Sequence, residues 1–144
     1  MASEIAVTTR QRAIFARHRV TLIELGDVDN AGIMAAYRRC DLVLFASTHE
    51  GFGLPILEAQ ATGRPVITSN CSSMPEVAGD AACLVDPFDV AAIRAGLERV
   101  IRDASFRTEL LRRGYINVRR FSAQRIAAQF AELYREIAAP ASPS

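Results

Sequence analysis

Three runs decide the fold: Asp41-Leu42-Val43-Leu44-Phe45-Ala46, then Glu50-Gly51-Phe52-Gly53-Leu54-Pro55-Ile56-Leu57-Glu58, then Gly63-Arg64-Pro65-Val66-Ile67-Thr68-Ser69. The first is almost continuously apolar, as expected of a strand buried on both faces. In the second, Pro55 stands where a first-turn helical proline belongs, and Gly63 follows where a C-terminal cap belongs. The spacing predicts a helix over 55–62 that buries Ile56, Leu57 and Ala61. The third run reads as the next strand. Strand, glycine-containing turn, helix and strand in that order make a parallel βαβ unit.

Working outward, Val20-Thr21-Leu22-Ile23-Glu24-Leu25 reads as an earlier strand closed by Gly26-Asp27. Asp29 or Asn30 caps a helix running to about Arg39, with Ile33, Met34 and Tyr37 on one face. Ala82-Cys83-Leu84-Val85 reads as a short fourth strand. Beyond Asp86-Pro87 the pattern is helical, over Val90–Arg102, Phe106–Arg119 and Ala123–Ile137, with Ser105 and Ser122 as N-caps. Residues 4–18 read as a helix with a weak apolar stripe. The fold class is α/β: a partial, Rossmann-like parallel sheet of about four strands with flanking helices and a helical C-terminal tail. The expected domain is 1–137, and the small, Pro-rich residues 138–144 are expected to fray. No internal repeat interrupts it.

The chain has 144 residues, half of them apolar, and a formal net charge of +1. It is long enough to bury a core, and its charge offers nothing to nucleic acid. Every basic residue is Arg. Cys40, Cys71 and Cys83 form no CxxC pair, and His18 and His49 stand far apart. This composition predicts reduced thiols in a cytoplasmic protein without structural zinc. No apolar run approaches the ~20 residues that span a bilayer.

The chemistry is expected at the turn before the helix. In open parallel sheets, ligands bind beyond the carboxyl ends of strands. Gly51 and Gly53 let a backbone approach a ligand closely, and a helix N-terminus suits an anionic phosphate. Pro55 has no N–H, so the donors would come from Gly53, Leu54 and Ile56 or Leu57. Glu50 and Glu58 bracket this turn. Carboxylates beside a phosphate would repel it, so their natural partners are hydroxyl donors. A diphosphate with hydroxyl-rich sugars at both ends fits that pattern, which is the shape of a nucleotide sugar. The structural alternative has Glu50 capping the helix and Glu58 in solvent. By the same standard His49 reads first as a loop residue. Ser69, Asn70 and Ser72 read as turn formers, Glu76 as a cap, and the ten Arg from Arg94 to Arg135 as a solvated face.

From Val20 to Ile137 the sequence resembles the C-terminal domain of family 4 retaining glycosyltransferases, which have the two-domain GT-B fold. Residues 35–44 resemble the helix and strand that precede the family's motif. Glu50 to Ala59 matches its Glu-x7-Glu motif, and Gly63 to Ser69 its GxPVI segment. Ser73-Met74-Pro75-Glu76-Val77-Ala78-Gly79-Asp80-Ala81-Ala82 with Val85-Asp86-Pro87 matches the stretch that follows. The resemblance implies that Glu50 binds donor-sugar hydroxyls and holds the sugar for transfer. It implies that Gly51, Phe52, Gly53 and Leu54 lie against the donor, with the Gly53 and Leu54 backbone at the diphosphate or sugar, and that Glu58 accepts from the ribose hydroxyls. The donor, GDP-mannose or a UDP-sugar, is a substrate, and no metal or other cofactor is implied. The run Ser69–Glu76 is similar to that of bacterial mannosyltransferases using GDP-mannose. The acceptor is a saccharide or a lipid-linked saccharide, which would place the protein in the cytoplasm at the inner face of the membrane and give the Arg-rich helices an anionic surface to meet.

Departures from the family pattern set further expectations. The N-terminal acceptor domain of such enzymes, and the Gly-rich turn whose Arg and Lys hold the diphosphate, have no counterpart in these residues. A helix N-terminus contributes roughly 0.3–2 kcal/mol to holding an anion, against the ~8 or more of enzymatic rate enhancement. The chain alone is therefore expected to be an inactive part of a transferase, with a sheet edge open to self-association. Two other classes stay open: a glycoside hydrolase using Glu50 and Glu58 as its carboxylate pair, and a non-catalytic nucleotide-binding or self-associating module.

Overall fold

The computed structural model describes residues 7–138. Three parallel strands, β1 (Val43–Phe45), β2 (Val66–Ser69) and β3 (Cys83–Val85), pair in the order β1-β2-β3. Val43 lies opposite Val66, and Ile67 opposite Cys83. The central strand β2 is buried along its whole length, which is why its four residues carry no charge. Its side chains alternate between two cores, as a period-two strand requires. Val66 joins Ile56, Leu57, Ala59, Met74, Val77 and Ala78 on one side, whereas Ile67 joins Cys83, Val85, Val100 and Leu110 on the other.

Helices α3 (Leu54–Ala61) and α4 (Met74–Ala78) cover the first side. Helices α5 (Val90–Arg102) and α6 (Ala104–Asn117) build the second, and a 3-10 turn, Val118–Phe121, leads into α7 (Ala123–Ala138). Ahead of the sheet stand α1 (Thr9–Arg17) and α2 (Asn30–Arg39). Caps set these boundaries. Thr8 and Gln11 form a capping box on α1, and the Asp29 carboxylate accepts the Gly32 N–H at 2.8 Å to start α2.

Four expectations are corrected. Val20–Leu25 is not a strand among the described residues. It runs outside the ladder with Ile23 and Leu25 largely exposed, because β propensity without a paired neighbour leaves the backbone unbonded. The sheet therefore has three strands, not four. Strand β1 is an edge strand, with Leu44 45% exposed, so its apolar run does not mean burial on both faces. In α3 the buried residues are Ile56, Leu57, Ala59 and Gln60, with Ala61 exposed. The start of α6 is capped by Asp103, which accepts the Phe106 N–H at 2.9 Å and the Ser105 hydroxyl at 2.6 Å, so Ser105 lies inside the first turn. Ser122 does cap α7, accepting the Arg125 N–H at 3.4 Å. Residues 4–6 of the first expected helix and 139–144 of the tail lie outside the described residues.

Helix α5 lies flush on the sheet because Gly96 has no side chain. A Cβ there would stand 2.6 Å from Val85 Cγ1 and 3.5 Å from both Cys83 Sγ and Ile67 Cγ2. Val85 is itself buried. Overpacking costs about 1–3 kcal/mol, while Gly→Ala in a helix gains at most about 1. Gly96→Ala is thus expected to lower the urea midpoint with an unchanged m-value. A higher midpoint would show that α5 can shift outward freely.

Candidate donor-binding turn

Residues 46–53 join the end of β1 to α3 at the carboxyl edge of the sheet. The residue at the helix N-cap is Gly53, with φ 101° and ψ 44°. A side chain is strained at that φ, and a Cβ would also lie 3.3 Å from Ile56 Cδ1. Gly51 differs, since a Cβ there would meet no protein atom within 4 Å; its bareness faces outward. Leu54 is the first helical residue and Pro55 follows it in the first turn. The Ile56 N–H donates to the Gly53 carbonyl at 3.1 Å, so it is not one of the expected free donors. The N–H groups of Gly53 and Leu54 find no acceptor among the described residues. Two donors at the helix start are thus left without a protein partner, that of buried Gly53 and that of exposed Leu54.

Neither carboxylate fills the structural role that would explain it away. No side chain caps α3, so Glu50 is not a helix cap. It is half-buried, and its backbone is gripped from the β2–α4 loop. The Glu50 N–H donates to Ser72 Oγ at 3.3 Å, and its carbonyl accepts from Ser72 Oγ and Ser73 Oγ, both at 3.0 Å. Ser72 does this from a left-handed backbone, φ 55°, a conformation that costs a non-glycine residue of order 1 kcal/mol. The loop is tied down further where the Ser47 hydroxyl donates to the His49 carbonyl at 3.1 Å, and where buried Ser69 donates to the Ser47 carbonyl.

Glu58 sits one turn inside α3 and is half-buried. Its Oε2 accepts a hydrogen bond from the Tyr37 hydroxyl at 3.0 Å. Burial first, and the bond to Glu58 second, push the Tyr37 phenol up to about 12, so it remains a donor throughout the neutral range. Phe52 packs edge-on against Phe121, with ring centroids 5.7 Å apart and planes at 80°, and is 45% exposed. Arg120 in turn lies 5.1 Å from the Phe121 ring centroid. The turn is therefore braced on three sides, by Ser72–Ser73, by Tyr37 and by Phe121.

Sequence reasoning grouped Glu50, Gly51, Phe52, Gly53, Leu54 and Glu58; the first four lie in the β1–α3 loop, and Leu54 and Glu58 lie on α3. The braces were not found. Tyr37 carried a signal, being the one residue with a polar tip on the apolar face of α2; Ser73 and Phe121 carried none. Glu76 is exposed and caps nothing, since α4 begins at Ser73 without a side-chain cap bond. His49 is exposed, with Nδ1 3.5 Å from Ser72 Oγ. Several of the Arg from α5 onward are engaged locally. Arg112 and Arg113 pair with Glu109, Arg113 also with Asp80, and Arg99 lies over the Phe106 ring at 3.7 Å. Among the described residues no His, Cys, Asp or Glu cluster has metal-ligating spacing, and no helix is long and apolar enough to cross a membrane.

Fold and turn together define an α/β domain with a glycine-capped helix start set between two carboxylates at the carboxyl edge of its sheet. The chain belongs to the glycosyl transferases group 1 family, whose model matches residues 11–117. It is 39% identical over 111 residues to O-antigen chain mannosyltransferase B of Escherichia coli, covering 77% of this chain and 29% of that protein. Among solved structures it is similar to the C-terminal domain of a glycosyl transferase group 1 family protein from Francisella tularensis. That match has a TM-score of 0.62 at 28% identity and covers 76% of this chain and 58% of the other. It is also similar to HepE of Anabaena in complex with UDP and glucose. There the TM-score is 0.69 at 25% identity, over 89% of this chain and 36% of that one. The chain thus spans 29% of its curated mannosyltransferase relative. The expected resemblance to a GT-B glycosyltransferase C-terminal domain holds, with a parallel sheet of three strands.

Proposed function

We propose that this chain is the donor-binding half of a retaining hexosyltransferase. It holds a nucleotide sugar with the diphosphate at the start of α3, the ribose hydroxyls on Glu58 and the sugar hydroxyls on Glu50. The observation that carries this reading is the pair of unengaged N–H groups, Gly53 and Leu54, between two carboxylates that cap nothing. Orphan donors at a helix start attract an anion. Ionised carboxylates accept only, and so select hydroxyl groups on either side of it. The names of the relatives, a mannosyltransferase and a protein solved with UDP and glucose, support a nucleotide hexose as donor.

Transfer goes to a saccharide or lipid-linked acceptor that attacks from the side of the departing nucleoside diphosphate, without a protein nucleophile. Catalysis rests on positioning and on stabilising the leaving group. The described residues offer that leaving group a helix N-terminus, roughly 0.3–2 kcal/mol, against the ~8 or more that turnover needs. The cations and the acceptor surface come from a second wall, and this chain alone binds without turning over.

Titrating the chain with GDP, UDP and their hexose derivatives tests the reading. Expected are saturable binding in the calorimeter and amide NMR shifts centred on Gly51 to Leu54. Shifts absent from that turn at every nucleotide concentration would overturn the assignment. Hydrolysis of an aryl glycoside, lost on changing Glu50 or Glu58, would favour the glycosidase class instead.

A further inference from the structure

Tyr37 belongs to a different element from the turn, yet its hydroxyl ends on Glu58 Oε2 at 3.0 Å. Its ring is packed against the core formed by Ile56, Leu57 and their neighbours. A tyrosine held by its ring has little freedom left at its hydroxyl, because two side-chain torsions fix the whole group. Glu58 alone has three torsions and a helix surface to roam. The contact therefore transfers the rigidity of the core to the carboxylate. An ionised carboxylate has about four lone-pair sites. Tyr37 takes one on Oε2 and leaves the rest, Oε1 in full, for hydroxyl donors.

We infer that Tyr37 is a positioning residue which orients Glu58 so that its carboxylate receives the vicinal hydroxyls of a ribose, making the Tyr37–Glu58 pair a determinant of ribonucleotide over deoxyribonucleotide binding. This rests on the reading of Glu58 as the ribose-binding carboxylate. The phenol stays protonated at neutral pH because burial and the adjacent carboxylate both hold its proton on, so the positioning bond persists over the working range. A site whose polar groups are arranged for a hydroxyl discriminates against the ligand lacking it, since the half-buried acceptor then loses its partner. The phenol also gives the half-buried Glu58 a partner inside the protein while no ligand is bound.

The test compares GDP with 2′,3′-dideoxy-GDP, and UDP with its dideoxy analogue in parallel, on the intact chain and on Tyr37→Phe, Glu58→Ala and the double variant, by calorimetry or NMR titration. The wild-type chain is expected to prefer the ribonucleotide by about tenfold or more, the worth of a hydrogen bond to a charged group. Tyr37→Phe keeps the ring and its packing. It should lose most of that preference while its affinity for the dideoxy form stays unchanged, an outcome that loss of packing alone would not produce. Adding Tyr37→Phe to Glu58→Ala should cost nothing more, because the tyrosine acts through the glutamate. Should Phe at position 37 disturb α2, the double variant compared with Glu58→Ala still reports the coupling. A wild-type preference in Tyr37→Phe, with the preference gone in Glu58→Ala, overturns the positioning role and leaves the donor-site reading standing. An unchanged preference in Glu58→Ala removes the ribose assignment itself, and the inference with it. Absence of nucleotide binding by the wild-type chain overturns both.

Discussion

Glu50→Gln is expected to lower the turnover of a transferase built on this domain about 100-fold, with the donor Michaelis constant nearly unchanged. The amide keeps the size of the side chain but replaces one acceptor oxygen by a donor, so a sugar hydroxyl bound there loses its partner or meets an N–H. Backbone geometry should survive, because Glu50 is held through its own N–H and C=O by Ser72 and Ser73 rather than through its carboxylate. The damage then falls on the placement of the reacting sugar, and small misplacements at the reacting centre are costly. Glu58→Ala should behave in the opposite way. It removes charged acceptors from a ribose that takes no part in bond exchange, raising the donor Michaelis constant by about tenfold or more while sparing turnover. Steady-state kinetics on both variants, in an enzyme that contains this domain with its acceptor side, separate the two roles. Wild-type kinetics for both would sink the site assignment.

How much of this was legible follows from what kind of signal each residue leaves. Pro55 and Gly63 are read directly, since a first-turn proline and a left-handed C-terminal glycine admit few alternatives, whereas Gly53 as the left-handed N-cap is seen only in the structure. The boundaries of α5 were also legible, from the shift to helical periodicity after Asp86-Pro87. Strand status was less so. Val20–Leu25 and Val43–Phe45 look alike as sequence, yet only the second has a neighbour to pair with, and pairing is a property of the sheet rather than of the segment. The carboxylates were legible as a spacing, Glu50 and Glu58 either side of a turn. Their supports were not, because Tyr37, Ser72, Ser73 and Phe121 come from other elements, and nothing in their local sequence announces a contact across the fold. A helix face can show that Tyr37 is turned inward. It cannot show which carboxylate lies at the end of its hydroxyl.

A second large effect is expected far from the turn's chemistry, at Asn117. Its side chain is 5% exposed and Gln60 is 2% exposed. Asn117 Nδ2 donates to Gln60 Oε1 and to the Val77 carbonyl, each at 2.8 Å, and its Oδ1 accepts from Arg120 Nη1 at 2.8 Å. Gln60 Nε2 continues the network to the carbonyls of Ala78 at 3.4 Å and Ala81 at 3.3 Å. These bonds join α6 to α3 and α4 where apolar packing would leave carbonyls unpaired. Asn117→Leu fills about the same volume but strips partners from Gln60 Oε1 and the Val77 carbonyl inside the protein. Each buried group so orphaned costs about 1–3 kcal/mol, so a loss of about 3–4 kcal/mol in unfolding free energy is expected, a large share of a typical domain's stability. Changing Gln60 to Leu as well would not restore it, because the carbonyls of Val77 and Ala81 would still lack the amide donors they have now, while that of Ala78 keeps the Ala81 N–H at 3.2 Å. Urea unfolding of the single and double variants measures this, and a loss under about 1 kcal/mol in both would mean that water replaces the missing partners. Nucleotide affinity in the folded population should be unaffected, since the network touches α3 on its buried side at Gln60, whereas the orphan N–H groups lie at its other end, at Gly53 and Leu54.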